Sequence, residues 1–318
     1  MNIEDLRERI DAAGGFVNAH AHLDRANTAH FFCKEDKRKQ LQQKWQLVDQ
    51  IKSSSTYGDY KDRINKALHD QSRKGVQHIC SFIDVDPIAS SKAIIAAREL
   101  AQESDEPKLY IACQTLKGVL DSTPNMLIRN HISHVNIIGS LPGADKGREK
   151  EHLDQVMKWG KEHNKRVHVH VDQLNTPEEK ETELLARKTI EWGMEGRVSA
   201  IHSISLACHP KTYRDEVYKM CKDAGLSFIA CPSAWIDHQR SEQLMPFHNA
   251  VTPADELIAN GLTVAIGSDN IHDVYKPYSD GDMMFELRML LESCKIYDAD
   301  VLVDIATKNG REVIGADK

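Results

Sequence analysis

The 318-residue chain contains no apolar stretch of the length a helical membrane span requires. It has no excess of positive charge. The formal net charge is −7 and the isoelectric point about 6.1, which gives no electrostatic reason to expect a nucleic-acid partner. Cys33, Cys80, Cys113, Cys208, Cys221, Cys231 and Cys294 form no CxxC pair and are odd in number. No disulfide framework is therefore expected, and free thiols in a reducing cytoplasm are. The first residues, Met1 to Arg7, lack the apolar core of a secretory signal. There is no glycine-rich phosphate loop and no repeat at a solenoid period. What remains, 41% hydrophobic and 28% charged, is the composition of an ordinary soluble globular protein.

What is present is an alternation. Short β-rich runs at 15–20, 77–83, 108–114, 135–139, 166–171, 197–202, 227–231 and 263–267 are separated by longer amphipathic segments. Helices are expected over 59–74, 88–102, 147–164, 177–192, 212–224, 253–260 and 282–294, with Thr123-Pro124 opening another. Thr176-Pro177 and Thr252-Pro253 repeat that capping arrangement. Eight strands, each followed by a helical stretch, predict a closed (β/α)8 TIM barrel in preference to an open doubly wound sheet. The expected organisation is one domain over 1–318. The glutamine-rich, charged segment 33–56 reads as a helical insertion near the barrel mouth ending in a flexible Ser53-Ser54-Ser55 run. It is read as a solvated excursion in preference to a dedicated lid.

In such a barrel the C-terminal strand ends converge on one face. Strand one ends in His20-Ala21-His22, two imidazoles two residues apart and therefore on one face. Strand five carries His168 and His170, of which His170 stands nearer the end; strand six ends in His202, and strand eight in Asp269. Three imidazoles and a carboxylate suit one zinc or ferrous ion that keeps a position open for water. Asp269 can then accept the water's proton, and His202 can polarise the group under attack. Asp24 and Asp172 also read as turn or capping residues.

The segments HAHLDRA (20–26), VHVHVDQ (167–173), AIHSISLA (200–207), FIACPSAWID (228–237) and VAIGSDNIHD (264–273) resemble the amidohydrolase superfamily, most closely its cytosine-deaminase-like branch. The resemblance implies metal ligands at His20, His22, His170 and Asp269, with His202 close by. It implies one divalent transition metal, Zn2+ or Fe2+, because strand four (135–142) offers neither lysine nor acid for a second. It further implies a small-molecule substrate and, by resemblance alone, a homo-oligomer. The β-sandwich common in the superfamily is not expected, since strand one begins near residue 15 and the chain stops soon after Asn309.

Two departures bear on chemistry. The branch's strand-five motif ends in a glutamate that shuttles a proton to a ring nitrogen, and this chain has Gln173. The acid that follows the strand-eight aspartate in cytosine-type relatives is here Asn270. An amide can hydrogen-bond but cannot exchange a proton at neutral pH. Leu116 stands where those relatives place a glutamine against the base; Gln114 is the nearest substitute, Lys117 a candidate for an anionic substituent, and Tyr275 a further pocket residue. The H-x-E and P-C-x-x-C signature of zinc nucleobase-editing deaminases is missing. The leading expectation is a mononuclear metal hydrolase acting on a C–N bond, with Gln173 and Asn270 orienting substrate. The alternative is a catalytically impaired, metal-containing ligand-binding or regulatory relative of cytosine deaminase.

Overall fold

A computed structural model describes residues 2–31, 41–103, 107–234 and 251–316. Eight parallel strands, β1 (Phe16–Ala21), β2 (Val76–Asp84), β3 (Lys108–Gln114), β4 (Ile137–Ser140), β5 (Arg166–Val171), β6 (Val198–His202), β7 (Ser227–Ala230) and β8 (Thr263–Ile266), pair in sequence order. Helix α1 (Ile3–Ala12) precedes them. Helices α2 (Leu41–Ser54) and α3 (Tyr57–Arg73) follow β1, α4 (Lys92–Glu103) follows β2, α5 (Ser122–Arg129) follows β3 and α6 (Glu149–Glu162) follows β4. Helices α7 (Glu181–Trp192), α8 (Lys211–Asp223) and α9 (Ala254–Ala259) follow β5, β6 and β7, and α10 (Met283–Cys294), α11 (Ala299–Ala306) and α12 (Lys308–Ile314) follow β8. This is the (β/α)8 barrel that the alternation predicts.

Strand residues alternate between two apolar layers. Val17, Ala19, Cys80, Phe82, Ala112, Ile137, Ile201, Ile229 and Ala265 fill the interior, with Val313 and Ile314 of α12 packed among them. Phe16, Ile79, Ile83, Ile111, Ile138, Val167, Val169 and Phe228 belong to the layer shared with the helices. β1 breaks this parity. Its pairing with β2 slips between Asn18 and Ala21, and past the irregularity Ala21 joins the outer layer. A bulge of this kind re-aims side chains. Here it turns His20 and His22 inward, onto the side that Val17 and Ala19 occupy below it.

The barrel closes between β1 and β8 through one bridge, Ala21 to Asp269. Asp269 N donates to His20 O at 2.9 Å and His22 N donates to Asp269 O at 3.0 Å. Gly267 makes the approach possible: a Cβ there would lie 2.8 to 2.9 Å from His20 N, O and Cβ, closer than any side chain tolerates.

Some local expectations fail for identifiable reasons. The Thr-Pro pairs do not cap helices. Helix α5 begins two residues earlier, at Ser122 with Asp121 at its cap, and α9 has Pro253 itself at its cap. Thr252 instead donates its hydroxyl to His202 O at 2.5 Å, tying the α9 entry to the end of β6. Helix α7 starts at Glu181, four residues past Pro177, because Asp172 accepts from Glu181 N and Thr182 N at 2.7 and 3.1 Å. The serine run is not flexible coil up to Ser54. It finishes α2, with Ser53, Ser54 and Ser55 hydroxyls donating back to Gln50 and Ile51 carbonyls. Nor is α2 a solvated excursion: Lys44, Leu47, Val48, Ile51 and Lys52 are buried. The earlier part of that insertion, 33–40, and Cys33 lie outside the described residues, as do 235–237 of FIACPSAWID. The six described cysteines are free. Among the described residues no helix is long and apolar enough to cross a membrane.

Candidate active site

Four strand ends deliver five polar side chains to one point. The ligand atoms of His20, His22 and His170 lie within 4.8 Å of one another, as do those of His20, His202 and Asp269. Asp269 Oδ1 is 3.4 Å from His20 Nε2 and 3.2 Å from His22 Nε2. His170 is oriented by its other nitrogen, Nδ1, 3.1 Å from Ser140 O at the end of β4. Phe82 forms the floor, its ring centre 4.6 Å from that of His20 and 5.0 Å from that of His170. His168 points elsewhere: its Nε2 bonds Val313 O at 3.0 Å, so the lower histidine of β5 serves the far end of the barrel. His202 and Asp269 adopt left-handed backbone, with φ of +73° and +57°. Such conformations are costly outside glycine and concentrate where function demands them.

The charge states match a cation-binding set. Burial, reinforced by the Arg25 guanidinium, holds the His22 imidazole well below its ordinary pKa. Burial and the neighbouring His20 imidazole do the same for His170. Both rings are therefore neutral donors of a lone pair at physiological pH. Burial pushes the Asp269 carboxyl up, but the His20 and His22 imidazoles, close against Oδ1, outweigh it and hold the group well below the usual range, hence ionised. Both ring nitrogens of His20 and Nδ1 of His22 are buried without a hydrogen-bond partner. Buried polar atoms are rarely left so, and a single cation would satisfy the inward-facing ones.

Around this centre lies a small cavity of about 40 Å3. Its wall includes His22, His170, His202, Asp269, Gln114, Leu116, Gln173, Asn270 and Tyr275, so the structure brings these sequence-predicted residues together. Lys117 is not among them. Its ammonium is 2.5 Å from Asp49 of α2 and pins that helix instead of facing the cavity. The wall also contains Arg25, Leu41, Trp45 and Leu141, which pattern reasoning missed. Arg25 follows β1 in a single 3₁₀ turn, Leu23–Arg25, and is buried. It donates from Nε to Asp273 Oδ2 and from Nη2 to Asn270 Oδ1, both at 3.3 Å, and its Cζ sits 4.8 Å from the Tyr275 ring centre. The only sequence signal was a cation three positions after the second histidine. Asn270 in turn donates from Nδ2 to Asp269 Oδ2 at 2.9 Å.

Gln173 also borders a larger neighbouring cavity of about 570 Å3, which shares Leu41, Trp45 and Leu141 with the first. Behind it stand Glu179 and Glu181. Burial, then the negative charges of Asp172 and Glu179, push the Glu181 carboxyl up to about 8. Burial pushes Glu179 up to about 7. A raised carboxyl pKa means that the folded state holds a proton the unfolded chain has lost. The Glu181 contribution is complete below the ordinary value of 4.5 and is lost as pH rises through about 8. Glu181→Gln should therefore gain melting temperature relative to the unsubstituted protein as pH rises from about 5 to about 9. A difference independent of pH would show that Glu181 is not protonated in the fold.

Comparison with known proteins follows the same lines. A model of the amidohydrolase family matches residues 41–318. The chain is 45% identical over 262 residues to an uncharacterized protein of Haemophilus influenzae, covering 80% of this chain and 94% of that one. It is 26% identical to the N-isopropylammelide isopropyl amidohydrolase of Pseudomonas sp., covering 98% of this chain and 78% of that one. The crystal structure of 5-methylcytosine deaminase from Klebsiella pneumoniae with 5-fluorocytosine superimposes with a TM-score of 0.86 at 25% identity, covering 95% of this chain and 74% of that one.

Proposed function

The chain belongs to the amidohydrolase family, and from that premise we propose that it hydrolyses a C–N bond in a small polar molecule that carries a carbonyl oxygen. The observation that supports this reading most is the meeting of His20, His22, His170, His202 and Asp269, with ring nitrogens of His20 and His22 buried and unpartnered. Bound among these side chains, one divalent transition metal, zinc or ferrous iron, would supply a Lewis acid able to make water nucleophilic at neutral pH. His20, His22, His170 and Asp269 are the proposed ligands. Asp269 remains ionised, with Oδ2 steadied by Asn270, and can receive the proton that water loses. His202, presented from the end of β6, polarises the scissile group. Arg25 offers guanidinium donors to a substrate oxygen, and Gln173 orients the substrate at the boundary of the two cavities. The relatives named above are an amidohydrolase of N-isopropylammelide and a deaminase of 5-methylcytosine, which supports a compact C–N substrate for this chain.

The second reading, an impaired relative, draws on the amides at 173 and 270. The contacts of Asn270 favour a changed substrate over decay. Its Nδ2 donates to Asp269 while its Oδ1 accepts from Arg25, two opposite roles that an ionised aspartate could not fill. The test is metal analysis together with turnover on a panel of amides, lactams and aminated heterocycles. About one equivalent of metal is expected. Activity should disappear on chelation and return with zinc or iron. A metal-free preparation that stays fully active would falsify the proposal. If only Gln173→Glu turns over heterocyclic amines and the native protein turns over nothing, the impaired reading prevails.

A further inference from the structure

Gln114 closes β3, and Asp84, its register partner, closes β2. Residues paired in register on parallel strands face the same way, so the two side chains meet. Gln114 donates from Nε2 to Asp84 Oδ1 at 3.0 Å. The other carboxylate oxygen of Asp84 lies 2.7 Å from Lys52 Nζ, which also reaches Asp86 Oδ2 at 2.5 Å. Asp86 is anchored by the amides of Ile88 and Ala89, both at 2.9 Å, and Asp84 N donates to Asp24 Oδ2 at 2.9 Å. Lys52, Asp84, Asp86 and Gln114 are all at least 97% buried.

A carboxamide has one donating end and one accepting end. The carboxylate of Asp84 accepts only, so a flipped Gln114 would set oxygen against oxygen. The end left over is Oε1, which is buried and has no hydrogen-bond partner among the described residues. Gln114 is in the cavity wall beside His22, His170 and Asp269. An acceptor held in this way demands a donor.

We propose that Lys52 and Asp84 are positioning residues that hold Gln114 as an obligate acceptor, so that the site selects cyclic amides, ureas or amidines with an unsubstituted ring N–H directed at the end of β3. The inference rests on reading the cavity as a C–N hydrolase site and deepens it. Gln114 and Arg25 make opposite demands: one requires a donor and the other an oxygen. Neither Lys52 nor Asp84 touches the substrate; α2 and β2 act through the amide they orient.

The test is calorimetric titration of the zinc-loaded protein with five- and six-membered cyclic amides, ureas and amidines, each paired with its N-methyl congener. At least one N–H compound should bind, and methylation should weaken it more than about tenfold. In Asp84→Asn, where the neighbour can either donate or accept, Gln114 is free to turn and the ratio should fall to within about threefold. Lys52 keeps Asp86 in that variant. Gln114→Leu, which leaves the charged cluster intact, should abolish the ratio. The proposal is overturned if no N–H member binds, if the N-methyl congeners bind as well, or if the ratio persists in either variant. A ratio that behaves as expected in a protein with no turnover refutes the hydrolase reading alone; turnover without any N–H preference refutes this inference alone.

Discussion

Asp269→Asn should lower kcat/KM by at least about a thousandfold, because one side chain serves both as proposed ligand and as proton acceptor. An asparagine oxygen is a weaker ligand and its amide takes no proton. The two roles separate on metal analysis. Loss of bound metal together with activity assigns the defect to ligation, and full occupancy with lost activity assigns it to proton transfer. A variant that retains metal and more than a tenth of native activity would remove Asp269 from both roles. The surrounding fold need not change. The bridge to β1 is made by the Asp269 backbone, which asparagine preserves, and asparagine tolerates the left-handed φ of +57°.

Lys52→Met should be the most destabilising single change outside the centre. Removing the ammonium strands Asp84 and Asp86, both of which it bonds, in a buried space. Breaking a buried ion pair from one side typically costs about 3–5 kcal/mol, since the remaining charge keeps its desolvation penalty. Chemical denaturation reads the loss directly. The triple change Lys52→Met, Asp84→Asn, Asp86→Asn should recover most of it, because no charge is then left uncompensated. If the single variant unfolds at the native midpoint, the cluster contributes no net stability.

Much of this architecture was legible because its determinants are local. The period-two pattern of Arg166–Val171 located β5 without error and placed His168 and His170 on one face. Which of the two faces the centre depends only on height along the strand, and the choice of His170 agrees with its place in the cluster. The pair at His20 and His22 was legible for the same reason, although the bulge below it was not. Irregular turns and non-local contacts escaped. β4 begins at Ile137, later than its apolar run, because Ile132–His134 coils into a 3₁₀ turn that holds Val135 outside the strand. The start of α7 is set by Asp172, nine residues upstream, through contacts no capping pattern encodes. Arg25 lies inside the HAHLDRA segment, but only the turn after β1 reveals that it faces the cavity. The pairing of Lys52 with Asp84 needs α2 docked on β2, a relation without a periodic signature.

The single bridge between Ala21 and Asp269 has a consequence for assembly order. His20 and His22, at the end of β1, leave the ribosome long before Asp269, which follows β8. The inward set they share can be complete only after β8 has been synthesised and has found β1. Until then the earliest strand waits with an open edge, the arrangement most exposed to wrong pairing in a growing chain. The ring closes through its most widely separated partners, and the same event builds the chemistry.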